Sequence, residues 1–341
     1  MTDLPPPPTS PPPPSSPPPL TVPPPPPPEA EWPPSGASII ATDVSKSFSG
    51  LVAVSNVTIA VQPGVTALLG PNGAGKSTML RMLSGQAKPT TGTVWVAGGD
   101  PRKDATSRGR IGLVPQQDGV FERENLFDVV RLAAILSDVP DPDGAAKRAL
   151  ASVELDPTLA RPVGAFSKGM RQRVKIASAL VHDPDVLMLD EPLNGLDPRQ
   201  RRHMIDLFHG LGEQGKTVLV SSHVLEEVER FGSTVVVIAK GRLAAQGDFH
   251  SIRRLMEDQP LRVRVVCSDS RTVATELITS GSVVGCRLES ERQVEFITDD
   301  VRRFRREIAG VCRANAVRLE EVIPLDDDLE SVFRYLVGTG P

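Results

Sequence analysis

Gly70-Pro71-Asn72-Gly73-Ala74-Gly75-Lys76-Ser77-Thr78 is the stretch on which the reading of this chain turns. Its spacing is G-x-x-x-x-G-K-[ST], in which successive backbone N–H groups point into one concavity that suits an anion. Val65-Thr66-Ala67-Leu68-Leu69 before it is apolar and partly β-branched, as in a buried strand. Met79-Leu80-Arg81-Met82-Leu83 after it is made of helix formers. Strand, loop and helix therefore follow in order, with the positive end of the helix turned toward the loop. A polyphosphate is the occupant this predicts. Lys76 would reach its β- and γ-phosphates, and the Ser77 hydroxyl would coordinate a magnesium ion. A glycine-rich turn that merely caps a helix is the plainer alternative, and residues further along decide between the two.

Downstream, three more apolar runs end in polar groups. Residues 111–114 stop at Pro115-Gln116-Gln117, 186–189 at Asp190-Glu191, and 217–220 at Ser221-Ser222-His223. Open α/β sheets bind ligands at the carboxyl ends of their strands, so these tips are expected to gather around one ligand. Asp190 would hold magnesium through water, and Glu191 would take a proton from the water that attacks the γ-phosphate. Two carboxylates at the tip of a buried strand would be costly without a cation nearby. His223 is then expected to contact the γ-phosphate, and Gln116 to meet the metal or the attacking water through its amide oxygen. Asp197 reads as the cap of a helix beginning near Arg199, and Ser167 as the cap of a helix opened by Phe166-Ser167-Lys168-Gly169-Met170. That second helix start is either ordinary or a second anion site.

Upstream, residues 39–41, 44, 52–54 and 57–61 alternate as antiparallel strands, with Phe48 in the turn between them. Phe48 either stacks on an adenine ring or is a core aromatic. Residues 125–136 and 145–154 have helical spacing around a loop at 138–144, which makes a helical insertion between strands. Residues 1–36 are dominated by proline and cannot bury enough surface to fold. They read as a disordered, passive arm, with binding to an aromatic-lined groove in a partner as the alternative.

The sequence of 341 residues carries a net charge of −4, so no global basic field points to nucleic acid. Cys267, Cys286 and Cys312 have neither the number of a disulfide framework nor the spacing of a zinc site, and read as small buried residues. No run approaches the roughly 20 apolar residues that cross a bilayer, and no charged-then-apolar signal pattern opens the sequence. Work at a membrane would require an anchor on another chain. The last ninety residues change rhythm: strand 261–267, helix 271–279, strands 282–288 and 293–297, helix 300–308, strand 314–322 and a final helix 329–337. The order resembles a split βαβ unit with one added helix.

Taken in sequence, these motifs resemble the ATP-binding subunit of ABC transporters over about residues 38–250. Gly70–Thr78 resembles the Walker A loop, Gln116 the Q-loop glutamine, residues 166–170 the signature motif, and 186–191 Walker B with its glutamate. Residues 194–197 resemble the D-loop, His223 the switch histidine and Phe48 the adenine-stacking aromatic. The signature departs from the commonest Leu-Ser-Gly-Gly-Gln but keeps Ser167 and Gly169, the phosphate contacts. Ser-Lys-Gly-Met followed by Arg171-Gln172-Arg173, and the stretch 324–333, are similar to drug, sodium and polysaccharide exporters whose ATPase and membrane subunits are separate chains.

The fold class expected is α/β: a P-loop nucleotide-binding domain with an antiparallel β subdomain and a helical insertion at 37–250, a small α+β domain at 251–341, and the tail at 1–36. The resemblance implies ATP and Mg2+, with ATP bound by residues 70–78, Phe48, Ser167 and Gly169, and the metal by Ser77, Gln116 and Asp190. It implies catalysis by Glu191, His223 and Gln116. It also implies a homodimer or heterodimer of ATPase subunits and a separate membrane-spanning permease, with this chain peripheral on the cytoplasmic face of the membrane. A soluble ABC ATPase working on ribosomes or DNA is the alternative; such proteins carry paired cassettes or coiled-coil insertions, and neither is present.

Overall fold

The computed structural model describes residues 33–117, 119, 121, 123–231, 234–249 and 261–325. Strands β1 (Ile39–Phe48), β2 (Leu51–Val61) and β4 (Thr91–Val96) form an antiparallel sheet in the order β2-β1-β4. The interrupted apolar pattern at Ser55-Asn56 suggested a break, but β2 runs through it. Asn56 takes φ 50 and donates its N–H to Ser45 Oγ at 2.9 Å. A left-handed residue here bends the strand as a bulge without ending it. Phe48 accordingly closes β1 rather than lying in the turn.

The second sheet has the order β5-β6-β7-β3-β8-β9, built from β5 (Ile111–Val114), β6 (Val186–Asp190), β7 (Thr217–Ser222), β3 (Gly64–Leu69), β8 (Thr234–Ala239) and β9 (Arg242–Asp248). The first five are parallel, and β9 returns antiparallel through a hairpin at Lys240-Gly241. Every residue of β6 and β7 is buried, which is why both read as unbroken apolar runs. One face of the sheet, through Val186, Met188, Leu219 and Val236, packs on β1, β2 and helix α1 (Lys76–Leu83). The other, through Leu187, Leu189, Val218 and Val220, packs with helices α3 (Leu126–Leu136), α4 (Pro142–Ser152), α5 (Lys168–Leu180) and α6 (Pro198–Glu213). Alternate residues of each strand thus serve two cores. In register, β7 lies directly between β6 and β3, so the tips of all three are neighbours.

Several boundaries differ from expectation for local reasons. Helix α4 begins inside the stretch read as a loop, because Asp141 caps Gly144 N–H at 2.9 Å and Pro142 occupies the first turn. An Asp-Pro pair starts helices as readily as it makes turns. Two short helices, α2 (Ala105–Gly109) and α7 (Leu225–Phe231), had no expected counterpart.

The carboxyl-terminal part forms an antiparallel sheet of order β11-β12-β10-β13, from β10 (Leu261–Cys267), β11 (Gly285–Leu288), β12 (Gln293–Thr298) and β13 (Leu319–Pro324). Helices α8 (Ser270–Thr279) and α9 (Val301–Ala314) cover one face, with Val265, Phe296, Leu277 and Phe304 almost wholly buried. Helix α9 outruns its expected end at 308 and displaces the start of β13 to Leu319. Cys312 continues the buried stripe of Phe304 and Ile308, and that packing carries the helix past Gly310. Cys267 and Cys312 are buried and Cys286 partly so, all as free thiols. The α/β class is as expected, with an antiparallel sheet and a helical insertion beside the parallel sheet and an α+β arrangement at 261–325. The proline-rich segment through residue 32 and the final helix at 329–337 lie outside the described residues.

Candidate active site

The phosphate loop leaves β3 and enters α1 through Gly75, whose φ is 105. A Cβ at this position would sit 2.5 Å from the Ala53 carbonyl oxygen of β2, so backbone angle and close approach both require glycine. Within the loop, Ala74 N–H donates to the Pro71 carbonyl at 3.1 Å. Asn72 and Gly73 are exposed, Ala74 is buried, and Pro71, Ser77 and Thr78 are half-buried.

Lys76 is only 5% exposed. Its Nζ donates to the carbonyls of Gly70 at 2.6 Å and Pro71 at 3.1 Å, and lies 3.7 Å from Glu191 Oε1. Burial pulls the Lys76 ammonium below its ordinary pKa, while the nearby Glu191 and Asp190 carboxylates oppose that pull. A lysine kept here has charge to offer to an anion in a site of reduced solvent screening.

At the tip of β6, Asp190 and Glu191 are 5% and 7% exposed. Glu191 takes φ 53, an uncommon conformation for a residue with a side chain, and one often found at functional positions. Its Oε2 accepts from Asn194 Nδ2 at 2.9 Å and lies 2.6 Å from His223 Nδ1. Ser221 Oγ donates to Asp190 Oδ1 at 2.7 Å and accepts the Glu191 N–H at 2.9 Å. Lys76, Asp190, Glu191 and His223 are therefore joined into one hydrogen-bonded and ion-paired group across the tips of three adjacent strands.

The other expected site residues stand outside that group. Gln116 is exposed, and its backbone carbonyl lies 3.5 Å from Lys175 Nζ, which also meets the carbonyls of Pro115 at 3.0 Å and Gln117 at 3.3 Å. Phe48 is 47% exposed, with Lys46 Nζ 4.8 Å from its ring centroid. Ser167 caps α5 by accepting the Met170 N–H at 3.2 Å and is exposed. Gly169 is buried, and a Cβ there would lie 2.7 Å from the Gly195 carbonyl oxygen. The signature helix and the turn before α6 are thus pressed together at a glycine contact. Asp197 caps α6 through Gln200 N–H at 2.8 Å, as expected.

Sequence reasoning assigned no role to Ser221 and did not see Asn194 as a partner of Glu191. The signal for Ser221 lies in register: β6 and β7 pair Asp190 with Ser221. Only the alignment of two strands 31 positions apart reveals it.

A buried lysine in a glycine-rich loop, set against paired carboxylates on the next strand but one, defines a P-loop nucleoside triphosphatase. The sequence pattern described as ABC transporter matches residues 54–194. The Nod factor export ATP-binding protein I of Burkholderia lata is 38% identical over 222 residues, covering 63% of this chain and 72% of that protein. Its counterpart from Burkholderia thailandensis is 37% identical over 310 residues, covering 89% and 91%. Among solved structures, the ATP-binding cassette MJ0796, in a dimeric post-hydrolysis state bound to ADP and Pi, superposes with a TM-score of 0.58 at 27% identity, covering 62% of this chain and 98% of that one. An ATP-binding subunit of an ABC transporter gives 0.59 at 29%, covering 64% and 92%. The chain belongs to the ABC transporter family as an ATP-binding subunit, and it is an ATP hydrolase.

Proposed function

We propose that this chain powers export through a separate membrane-spanning subunit, by closing and reopening a dimer of ATPase domains around ATP. The observation that carries the reading is the convergence of Lys76, Asp190, Glu191 and His223 at adjacent strand tips. In it, residues 70–78 cradle the phosphates, and Lys76 exchanges its loop carbonyls for β- and γ-phosphate oxygens. Phe48 stacks on the adenine. Glu191 accepts the proton of the attacking water, and His223, already at its carboxylate, holds that group in place and meets the γ-phosphate. Ser167 and Gly169 contact the same γ-phosphate from a second copy or a related subunit.

The fit to Mg2+ follows from the donors. Ser77, Asp190 and Gln116 supply only oxygen, and Ser221 engages only one of Asp190's two carboxylate oxygens. Among the described residues no group of three or more His, Cys, Asp and Glu is placed so that it could hold a metal ion by itself. Mg2+ is usually held by one or two protein groups with phosphates and water completing its shell, so such a set suits it. When bound, the ion neutralises charge on the phosphate oxygens.

The docking place for the membrane subunit is a cleft of about 330 Å³ between α3, α5 and the segment after β5. Leu113, Val129, Phe121 and Leu136 line it, the last two 58% and 75% exposed. Lys175 also lines the cleft and holds the carbonyls of residues 115–117, so pressure there reaches the Gln116 segment directly. The likeness to export proteins over most of both chains supports the direction of transport. Among the described residues no helix is long and apolar enough to cross a membrane. In this reading, which rests on the likeness to export ATP-binding proteins, the chain acts as a peripheral subunit on the cytoplasmic face, with residues 37–250 as the ATPase domain and 251–341 as an accessory domain.

Recovery of the tagged chain from detergent-extracted native membranes tests this. A multi-span protein is expected to accompany it and to be lost with Leu136→Glu. Recovery with ribosomes or DNA instead would overturn the proposal.

A further inference from the structure

Helix α9 places five arginines and one glutamate in fourteen residues, although the chain as a whole is acidic. Its inner face is committed to the core through Phe304, Ile308 and Cys312, each 4% exposed or less. At about 100° per residue, Arg302, Arg306 and Arg313 fall within about 40° of one another on the opposite face, with Arg305 on the flank. Ala309 and Gly310 lie between them, so no long neutral side chain stands in front of the row. Arg302, Arg305, Arg306 and Arg313 are all exposed and form no ion pair among the described residues.

The single glutamate does not neutralise this row. Glu307 Oε1 pairs with Arg303 Nε at 2.9 Å, and Oε2 accepts from Ser280 Oγ at 2.8 Å and also from the Ser282 hydroxyl. Those hydroxyls and Arg303 hold its carboxyl down to about 2, so it stays ionised and engaged with Arg303. Arg302, Arg306 and Arg313 form a row of about 16 Å, from a rise of 1.5 Å per residue, with Arg305 beside it.

We infer that this row docks the carboxyl-terminal domain on an anionic bilayer surface, its guanidinium groups meeting lipid phosphates. Charge complementarity carries the choice: guanidinium forks suit phosphate oxygens, and a clustered basic helix face is drawn to anionic lipid. The exposed side of α9 offers no aromatic side chain on which unpaired bases would stack, which disfavours nucleic acid. The contact is with lipid itself and needs neither nucleotide nor a membrane subunit, so it goes beyond the proposed transport role.

Co-sedimentation of the full chain with vesicles tests it, using phosphatidylcholine alone or with about one-third phosphatidylglycerol. The chain is expected to bind the anionic vesicles and not the neutral ones, with binding weakening as salt rises. Arg302→Gln/Arg306→Gln should lower the affinity about 30-fold, from the usual worth of two basic residues at such a surface. Arg102→Gln/Lys103→Gln, which removes the same charge from an exposed turn in the ATPase body, should leave it unchanged. Both variants should hydrolyse ATP at the parental rate, so failure of the lipid contact is distinguished from failure of the ATPase. Equal binding by Arg302→Gln/Arg306→Gln, equal binding to neutral vesicles, or displacement from vesicles by short RNA would each overturn the inference.

Discussion

The start of α1 and the start of α5, the two helix N-termini to which the proposed function assigns phosphate contacts, are built in opposite ways. At α1 the loop is surrounded: Lys76, Asp190 and Glu191 are nearly inaccessible and tied together, and β2 presses on Gly75. At α5 the cap residue Ser167 is open to solvent, and Gly169 is pressed against Gly195 of the turn before α6. In the proposed function the first arrangement supplies a base, a cation and a metal-binding carboxylate. The second offers N–H groups and a hydroxyl, with no charged partner at Ser167 among the described residues. In the proposed function, a catalytic site split in this way is complete only when the open half of one copy faces the closed half of another.

Changes that break the closed half should have the largest effects. Glu191→Gln removes the proposed proton acceptor but leaves volume, polarity and the hydrogen-bonding reach toward Asn194 and His223. Turnover is expected to fall by about 10²- to 10⁴-fold, the usual worth of a positioned general base. ATP affinity should persist, and light scattering should show a nucleotide-bound dimer accumulating. Unchanged hydrolysis would remove Glu191 from its assigned role.

A smaller effect should follow from Ser221→Ala, which strips a donor from Asp190 and an acceptor from the Glu191 N–H without touching either carboxylate. Residues that orient a metal ligand are typically worth about 10- to 100-fold in metal affinity. The Mg2+ concentration for half-maximal activity is expected to rise by at least the lower figure, with Ser221→Thr restoring it. A uniform loss of rate at unchanged Mg2+ dependence would show that Ser221 serves packing alone.

The contrast between the two helix starts also marks how much could be read without coordinates. The glycine spacing of residues 70–78 and the unbroken apolar runs ending at Asp190 and Ser222 are local signals, and they place the loop and two strand tips correctly. The helix cap at Asp197 was legible for the same reason. Ser221 was not, because its meaning comes from the lateral register of β6 with β7. Nor was the continuity of β2, since a left-handed Asn56 looks in sequence like an ordinary turn residue. Asp141-Pro142 misled in the other direction: the same pair opens a helix or a loop, and the packing of Ala145, Ala149 and Leu150 in the core selects the helix.

The central claim is that each ATP is handled by the closed half of one copy and the open half of another. Its most direct test mixes two inactive variants, Lys76→Ala, which spoils the closed half, and Ser167→Arg, which spoils the open half. Each alone should be inactive, because every site in its dimer lacks one half. Random mixing should restore roughly a quarter of parental ATPase activity, since about half the dimers are mixed and each holds one intact site. Full activity of Ser167→Arg alone, or no recovery from a mixture shown to contain mixed dimers, would contradict the account.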